Sequence, residues 1–224
     1  MKKRKFTLRE EVRCEIYRLL AQCYYAPDEN IFETFKNLME LSGQNPGNDV
    51  RDPVDDDFTS IIVDHARLFV GPYQILAPPY GSIYMENTGM IMGESTIEAV
   101  NRYEESGLNI VIKEVPDHIA IELEFMYFLI FHEIEQTKNH NLERASHFQA
   151  KQSEFLDNHL GRWVLAFADR IMENAETNFY RSLALFTRKF IGDDLKSLSK
   201  IDKDFIPYSS VFTHKKPSST GINI

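Results

Sequence analysis

A polar pair, Asp117 and His118, stands immediately before the most apolar segment of the chain. The pair follows Pro116, whose fixed φ suits the first turn of a helix, and Asp117 places negative charge where a helix dipole is positive. Carboxylate and imidazole groups can form hydrogen bonds with polar and cationic ligands. The sequence therefore predicts a polar site at the mouth of a helix, at or near the protein surface, where a ligand could reach it.

The helix that follows this pair has almost no polar face. Apolar residues dominate from Ile119 through Ile134, and in a soluble protein this pattern predicts a helix surrounded by other helices. We expect a central helix over about 116–136 within an all-α fold, a single compact bundle of about eight to ten helices. Residues 1–200 are predicted to form this domain, and residues 201–224 to form a loosely held tail.

Capping boxes and helical spacing predict the surrounding helices. Thr7–Glu10 and Ser95–Glu98 have the capping-box pattern, which predicts helix starts at Thr7 and Ser95. Apolar spacing predicts helices over 27–42 and 55–69. A break at Asn139–Asn141 ends the central helix, and apolar residues at helical spacing predict three more helices after it.

Composition and charge exclude several classes of function. Of the 224 residues, 43% are hydrophobic and 26% are charged, which is ordinary for a folded soluble protein. The formal net charge of −9 argues against partners that are nucleic acids or anionic membranes, and is compatible with a basic peptide.

The cysteines and the hydropathy pattern predict a cytoplasmic protein. Cys14 and Cys23 lie about 13 Å apart along one predicted helix, too far for a disulfide, which fits a reducing compartment. The basic start of the chain is followed by charges where a signal peptide would be apolar, and the longest uncharged run, over 68–85, contains prolines and glycines. We therefore expect no export signal and no membrane insertion.

Metal-dependent and covalent catalysis receive little support from residue spacing. A ferritin-like metal centre needs Glu three residues before His, and no histidine of the chain has that neighbour. His118 with Glu122, and His147 with Glu143, have i,i+4 spacing that a metal could use, but no further ligand is indicated. The sequence predicts no catalytic residue, no metal and no cofactor.

A long segment from 71 to 93 alternates proline, glycine and aromatic residues without helical or strand periodicity, and is predicted to be an ordered loop. Pro78 and Pro79 would stiffen it, and Tyr80 and Tyr84 would offer flat, amphipathic surface to a peptide. An equally simple interpretation is that these tyrosines pack on the core. If the acidic residues near this loop in sequence also surround it in space, they could bind arginine side chains; they are Glu86, Glu94, Glu114, Asp117, Glu122 and Glu124.

Several motifs, in their order and spacing, resemble the TorD/DmsD/NarJ family of redox-enzyme maturation chaperones, and its TorD/DmsD branch most closely. These motifs are Leu68–Pro72, Ala77–Tyr84, Met92–Thr96, Tyr103–Leu108, Pro116–His118 and Glu122–Met126. The resemblance covers about residues 8–192. It implies an all-helical, non-enzymatic cytoplasmic chaperone that binds the twin-arginine leader and the apo form of a molybdopterin-dependent oxidoreductase, and that delays export until the cofactor is inserted.

By this resemblance the leader-binding region would comprise Phe69, Pro78, Pro79, Tyr80, Ser82, Tyr84, Glu114, Pro116, Asp117, His118 and Glu122. Asp117 and Glu122 would bind cationic groups of the leader, His118 would orient the loop, and the aromatic residues would contact the apolar part of the leader. Tyr80 stands where some relatives carry Trp, which leaves the identity of the client open.

Two alternatives remain at this point. One is an assembly factor for a non-exported molybdoenzyme subunit, as in the NarJ branch. The other is a small enzyme that depends on a metal or a nucleotide and uses His118 with Glu122. The sequence also leaves open whether a nucleotide modulates binding, and whether the chain is a monomer or a dimer formed by helix exchange.

Overall fold

The computed structural model describes residues 2–43, 56–71, 74–86, 89–108 and 114–204, and side chains within 8–43, 56–71, 74–86, 89–108 and 114–198. As predicted, the fold is all-α. The helices are α1 (Lys2–Tyr24), α2 (Ile31–Ser42), α3 (Phe58–His65), α4 (Gly81–Met85), α5 (Glu94–Glu105), α6 (Ile119–Lys138), α7 (Leu142–Phe155), α8 (Gly161–Asn174) and α9 (Asn178–Asp204). One π-helical turn, Ala66–Val70, continues α3, and another, Leu156–Leu160, connects α7 to α8.

Helix α6 is the central helix of the bundle, as its apolar sequence predicts. It packs most extensively against α1 and α7, while α8 packs against α9. Leu123, Met126 and Leu129 are fully buried on α6, and burial of each such side chain stabilises the fold by about 1.5–3 kcal/mol. The helix is not enclosed on every side, because Phe131 remains 43% exposed.

The start of α6 lies later than the predicted start at Pro116. His118 has an extended backbone (φ −68°, ψ 138°), and its Nδ1 accepts a hydrogen bond from the backbone N–H of Ala120, so it is the N-cap. Pro116 and Asp117 therefore lie in the turn before the helix. The backbone of His118 pairs with another segment, and this pairing prevents an earlier helical start.

Both predicted capping boxes are wrong. Helix α1 begins at Lys2, so Thr7 lies inside it. Helix α5 has Gly93 as its N-cap, and Ser95 donates hydrogen bonds to Glu86 from both its backbone N (2.7 Å) and its Oγ (2.6 Å). A tertiary carboxylate thus satisfies donors that a local capping box would otherwise satisfy. The predicted break after the central helix is confirmed, since Asn141 caps α7 through Arg144.

Glycine is required where the π-helical turn between α7 and α8 ends. A Cβ at Gly161 would clash with the backbone carbonyl oxygen of Leu156, and would also lie 2.8 Å from Cδ2 of Leu195 on α9. Because a main-chain carbonyl cannot rotate away as a side chain can, only glycine fits at this position. Helix α9 continues to Asp204, beyond the predicted domain end at residue 200, and the rest of the predicted tail lies outside the described residues.

The predicted loop over 71–93 contains a helix that was not expected, the five-residue α4. A helix of little more than one turn is too short to show periodicity in sequence. Elsewhere, Cys14 and Cys23 form no disulfide, as predicted, and both are buried. No helix within the described ranges is long and apolar enough to cross a membrane.

Candidate peptide-binding site

Two segments predicted to form the site meet in the structure, at the end of the proline loop and the start of α6. Tyr80 and His118 form an isolated antiparallel bridge. The backbone N–H of Ile119 donates to the carbonyl of Pro79 (2.8 Å), and that of Gly81 donates to the carbonyl of Asp117 (2.9 Å). The loop is therefore fixed to the mouth of the central helix by main-chain hydrogen bonds, which do not depend on side-chain identity.

Asp117 is fully buried, so its predicted position at the surface is wrong. Its Oδ2 accepts a hydrogen bond from the backbone N–H of Ser82 (2.7 Å), in the first turn of α4. A helix start presents unsatisfied N–H groups and partial positive charge, and the carboxylate of Asp117 satisfies one of them. The unpredicted helix α4 thus covers Asp117. Within the described part of the chain, Asp117 Oδ1 and Ser82 Oγ have no hydrogen-bond partner.

His118 is also largely buried, at 8% exposure. Its ring stacks on Tyr25 at a centroid distance of 6.2 Å and meets Tyr80 edge to face at 5.5 Å. Burial, reinforced by nearby His65 and opposed by Asp117, lowers the pKa of His118 to about 4. The imidazole is therefore neutral at pH 7. Because Nδ1 accepts the N-cap hydrogen bond, the ring proton lies on Nε2.

Glu122 lies beneath this region and is fully buried, so the predicted contact with a cationic ligand does not fit its position. Its carboxylate accepts hydrogen bonds from His159 Nε2 (2.9 Å) and Trp163 Nε1 (3.0 Å). Burial raises the pKa of Glu122, and its two partners oppose that rise. For His159, burial lowers the pKa, but the Glu122 carboxylate reverses this, and the net shift is upward.

Gly81 is held close to this buried carboxylate. A Cβ at Gly81 would lie 3.0 Å from Trp163 Nε1 and 3.2 Å from Glu122 Oε1, which is tighter than most real contacts. Glycine lets the backbone of α4 approach the Trp163 and Glu122 side chains. The packing at this point therefore joins three segments that are distant in sequence. They are the start of α4, the first turn of α6 and the start of α8.

Several predicted site residues belong to the core. Phe69 is 5% exposed and packs against the rings of Tyr24, Phe167 and Tyr180, and Pro78 and Pro79 are buried. Tyr84 stacks on Trp163 at 5.6 Å. These residues therefore pack on the core, which was the alternative to peptide binding in the sequence analysis.

The accessible part of the site consists of two tyrosines and two carboxylates. Tyr80 and Tyr25 are half-buried, while Glu114 and Glu124 are exposed. Glu124 accepts a hydrogen bond from Tyr25, and Glu114 lies close enough to raise the pKa of Tyr80, after the larger effect of burial. We call this group, Tyr25, Tyr80, Glu114 and Glu124, the tyrosine face.

Tyr25 was not among the residues predicted from the sequence. A signal was present, because Tyr25 directly follows Tyr24, the last residue of α1, and precedes Ala26 and Pro27. Of the acidic residues expected to surround the loop, Glu114 lies near Tyr80 of the loop, Glu124 bonds to Tyr25, and Glu86 bonds to Ser95 of α5. Across the described ranges no three His, Cys, Asp or Glu side chains come together as metal ligands.

Comparison with known proteins agrees with this architecture. A family model described as the nitrate reductase delta subunit matches residues 18–169. Among solved structures, a candidate redox enzyme maturation protein from Archaeoglobus fulgidus superposes with a TM-score of 0.54 at 26% identity, covering 80% of this chain and 93% of the other.

Curated relatives match a shorter part of the chain. The chaperone protein TorD of Vibrio parahaemolyticus serotype O3:K6 is 29% identical over 126 residues, which is 55% of this chain and 57% of the relative. The Tat proofreading chaperone DmsD of Salmonella typhimurium is 27% identical over 124 residues, 54% of each chain. The chain thus spans about half the length of the curated relatives it matches.

Proposed function

Because the chain belongs to the nitrate reductase delta subunit family, we propose that it is a cytoplasmic maturation chaperone, and not an enzyme, for a molybdopterin-dependent oxidoreductase. It binds the twin-arginine leader and the apo form of the catalytic subunit, and it delays export until the cofactor is inserted. The names of the matched relatives, chaperone protein TorD and Tat proofreading chaperone DmsD, support this proposal.

The observation that carries the proposal is the tyrosine face. Two half-exposed aromatic rings, Tyr25 and Tyr80, both contact the ring of His118, and two exposed carboxylates lie near them. Rigid aromatic rings bind apolar segments at low entropic cost, and carboxylates bind guanidinium groups through charge-assisted hydrogen bonds. An arginine pair followed by an apolar segment has the complementary chemistry.

The buried residues of the predicted site have supporting roles in this proposal. Asp117 fixes α4 through Ser82, His118 contacts both tyrosine rings, and Glu122 holds the base of the site through His159 and Trp163. These residues position the tyrosine face, while the contacts with the leader come from Tyr25, Tyr80, Glu114 and Glu124. A leader that is disordered when free must be ordered on binding, so we expect an affinity of about micromolar.

The direct test uses a labelled synthetic peptide that carries an Arg-Arg pair followed by an apolar segment, and the same peptide with Lys-Lys. Fluorescence anisotropy should show weaker binding of the Lys-Lys peptide. Tyr80→Ala and Glu114→Gln should each weaken binding of the Arg-Arg peptide, Tyr80→Ala by about tenfold. Two matched controls, Tyr127→Ala on α6 and Glu98→Gln on α5, should bind like the wild type. Equal binding by Tyr80→Ala and the wild type would contradict the proposal.

A second candidate is favoured by the description of the matching family model, which refers to a nitrate reductase subunit. In that case the chain assembles a molybdoenzyme subunit that is not exported. Affinity purification of the tagged chain from its host, grown under anaerobic respiration, distinguishes the two candidates. Recovery of an oxidoreductase precursor that is lost when its leader carries Lys-Lys supports leader recognition. Recovery of a client without such a leader supports the second candidate.

A further inference from the structure

A pocket of about 390 Å³ lies where the end of α5 meets α6 and α7, away from the tyrosine face. Hydrogen-bond donors dominate its lining, which includes His132, Gln136, Arg144, His147, Phe148 and Lys151. His132 lies about four turns beyond His118 on α6, which is about 20 Å along the helix axis. The two sites are therefore separate.

The positive groups of this pocket are mostly not neutralised by carboxylates. Arg144 forms no ion pair with any side chain in the described ranges, although the whole chain carries a net charge of −9. Lys151 is fixed in position, because its Nζ donates to the carbonyl of Glu105 (2.8 Å) and to Ser106 Oγ (3.0 Å). An ammonium has three protons, so one donor remains.

Aromatic packing holds a third donor in place. The ring of His132 stacks on Phe148 at a centroid distance of 5.2 Å and an interplanar angle of 19°. Its ring nitrogens make no hydrogen bond to other described residues. The opposing group is the carboxylate of Glu105, which also lines the pocket. One carboxylate faces a guanidinium and an ammonium, and two imidazoles add hydrogen-bond donors, so the pocket is suited to an anion.

We propose that this pocket binds a small phosphate-bearing anion. The planar fork of Arg144 can donate two parallel hydrogen bonds to phosphate oxygens, and Lys151 adds a fixed positive charge. His132, His147 and Gln136 supply further donors around the anion. The volume is within the range of small-molecule sites and leaves space for an organic substituent beside Phe148, so a phosphate monoester fits as well as inorganic phosphate.

Calorimetric titration of the full chain at constant ionic strength tests this proposal, with inorganic phosphate and glycerol 3-phosphate as probes. Arg144→Gln should weaken phosphate binding by about tenfold. The matched control, Arg162→Gln, removes an exposed arginine of α8 that does not line the pocket, and should bind phosphate like the wild type. Binding of the leader peptide should be unchanged in Arg144→Gln, which separates this test from that of the proposed function.

The outcomes of the titration are distinct. Tighter binding of glycerol 3-phosphate than of inorganic phosphate supports a site for an organic phosphate, and equal binding supports recognition of the phosphate group alone. Shifts of the His132 and His147 imidazole signals in NMR spectra, on addition of phosphate, would place the anion in this pocket. No binding at millimolar phosphate, or an equal loss in Arg144→Gln and Arg162→Gln, would overturn the proposal.

Discussion

Two buried polar clusters occupy opposite ends of α6, and they differ in what they connect. The end cluster comprises Arg13, Tyr17, Glu133, Gln152 and Asp194, from α1, α6, α7 and α9. Arg13 Nε donates to both Asp194 oxygens (2.8 and 2.9 Å), and its Nη1 donates to Gln152 Oε1 (2.7 Å). Tyr17 donates to Asp194, and Gln152 donates to Glu133. This cluster fixes four long helices relative to one another.

The start cluster comprises Ser82, Asp117, Glu122, His159 and Trp163. It joins the short helix α4 and a turn to the main bundle, directly beneath the tyrosine face. Within the described part of the chain, Asp117 Oδ1, Ser82 Oγ and His159 Nδ1 have no hydrogen-bond partner, whereas the end cluster leaves only Arg13 Nη2 without one. Incomplete hydrogen bonding in the interior costs stability. The comparison indicates that the end cluster holds the fold, while the start cluster holds a surface.

The largest expected effect is on the end cluster. Arg13→Met would leave the Asp194 carboxylate buried without its guanidinium partner, which should cost about 3–5 kcal/mol of unfolding free energy. Urea denaturation measures this loss. The matched control is Arg18→Met, since Arg18 pairs with Glu15 in a partly exposed ion pair, and we expect a loss below about 1 kcal/mol. Equal losses in the two variants would contradict the role given to the end cluster.

At the start cluster we expect a smaller loss of stability than at the end cluster, together with a loss of peptide binding. Gly81→Ala places a Cβ against Trp163 and Glu122, which should cost about 1–3 kcal/mol. Because α4 must shift, and Tyr80 precedes it, binding of the Arg-Arg peptide should weaken as well. The control is Gly192→Ala in α9, where a Cβ meets no atom within 4 Å. That variant should gain up to about 1 kcal/mol and keep its peptide affinity.

The end cluster should also make the fold less stable at high pH. Burial, with a contribution from Glu10, raises the pKa of Glu133 to about 7 against the opposing effects of Gln152 and Arg13. The folded state therefore holds a proton that the unfolded state releases near pH 4.5, and stability is lost as pH rises through 7. Glu133→Gln should reduce the loss of unfolding free energy between pH 5 and pH 8 by about 2 kcal/mol. Urea denaturation at both values measures it, and parallel profiles for variant and wild type would contradict this explanation.

The parts of the fold that sequence could predict are those that depend on repeated local patterns. The apolar run of α6 predicts a central helix, and the break at Asn141 predicts its end. The capping boxes at Thr7 and Ser95 were wrong, although α5 begins at Glu94, within one residue of Ser95. A capping box is a local signal, and Ser95 bonds instead to Glu86 from another element. Helix α4 was missed because five residues show no period.

Dependence on partners distant in sequence also explains which residues of the candidate site were predicted and which were not. Sequence motifs brought Tyr80 and His118 together correctly, and the structure pairs their backbones. They could not show that Asp117 and Glu122 are buried, since charged residues are normally exposed and burial depends on partners distant in sequence, such as Trp163. The contribution of Tyr25 also depends on packing between α1 and the start of α6.

The smallest expected effect concerns His118, which follows Asp117 of the start cluster, and its pH dependence has the opposite sign to that of Glu133 in the end cluster. The pKa of His118, about 4 when folded, is below the ordinary value of 6.5. The folded state stays neutral while the unfolded state takes up a proton, so stability is lost as pH falls from 6.5 towards 4. His118→Asn retains a good N-cap residue and removes this titration. Between pH 7 and pH 5 the variant should lose about 1.5 kcal/mol less than the wild type in urea denaturation. If the variant and the wild type lost equal stability over that range, His118 would not be the buried neutral group that contacts Tyr25 and Tyr80.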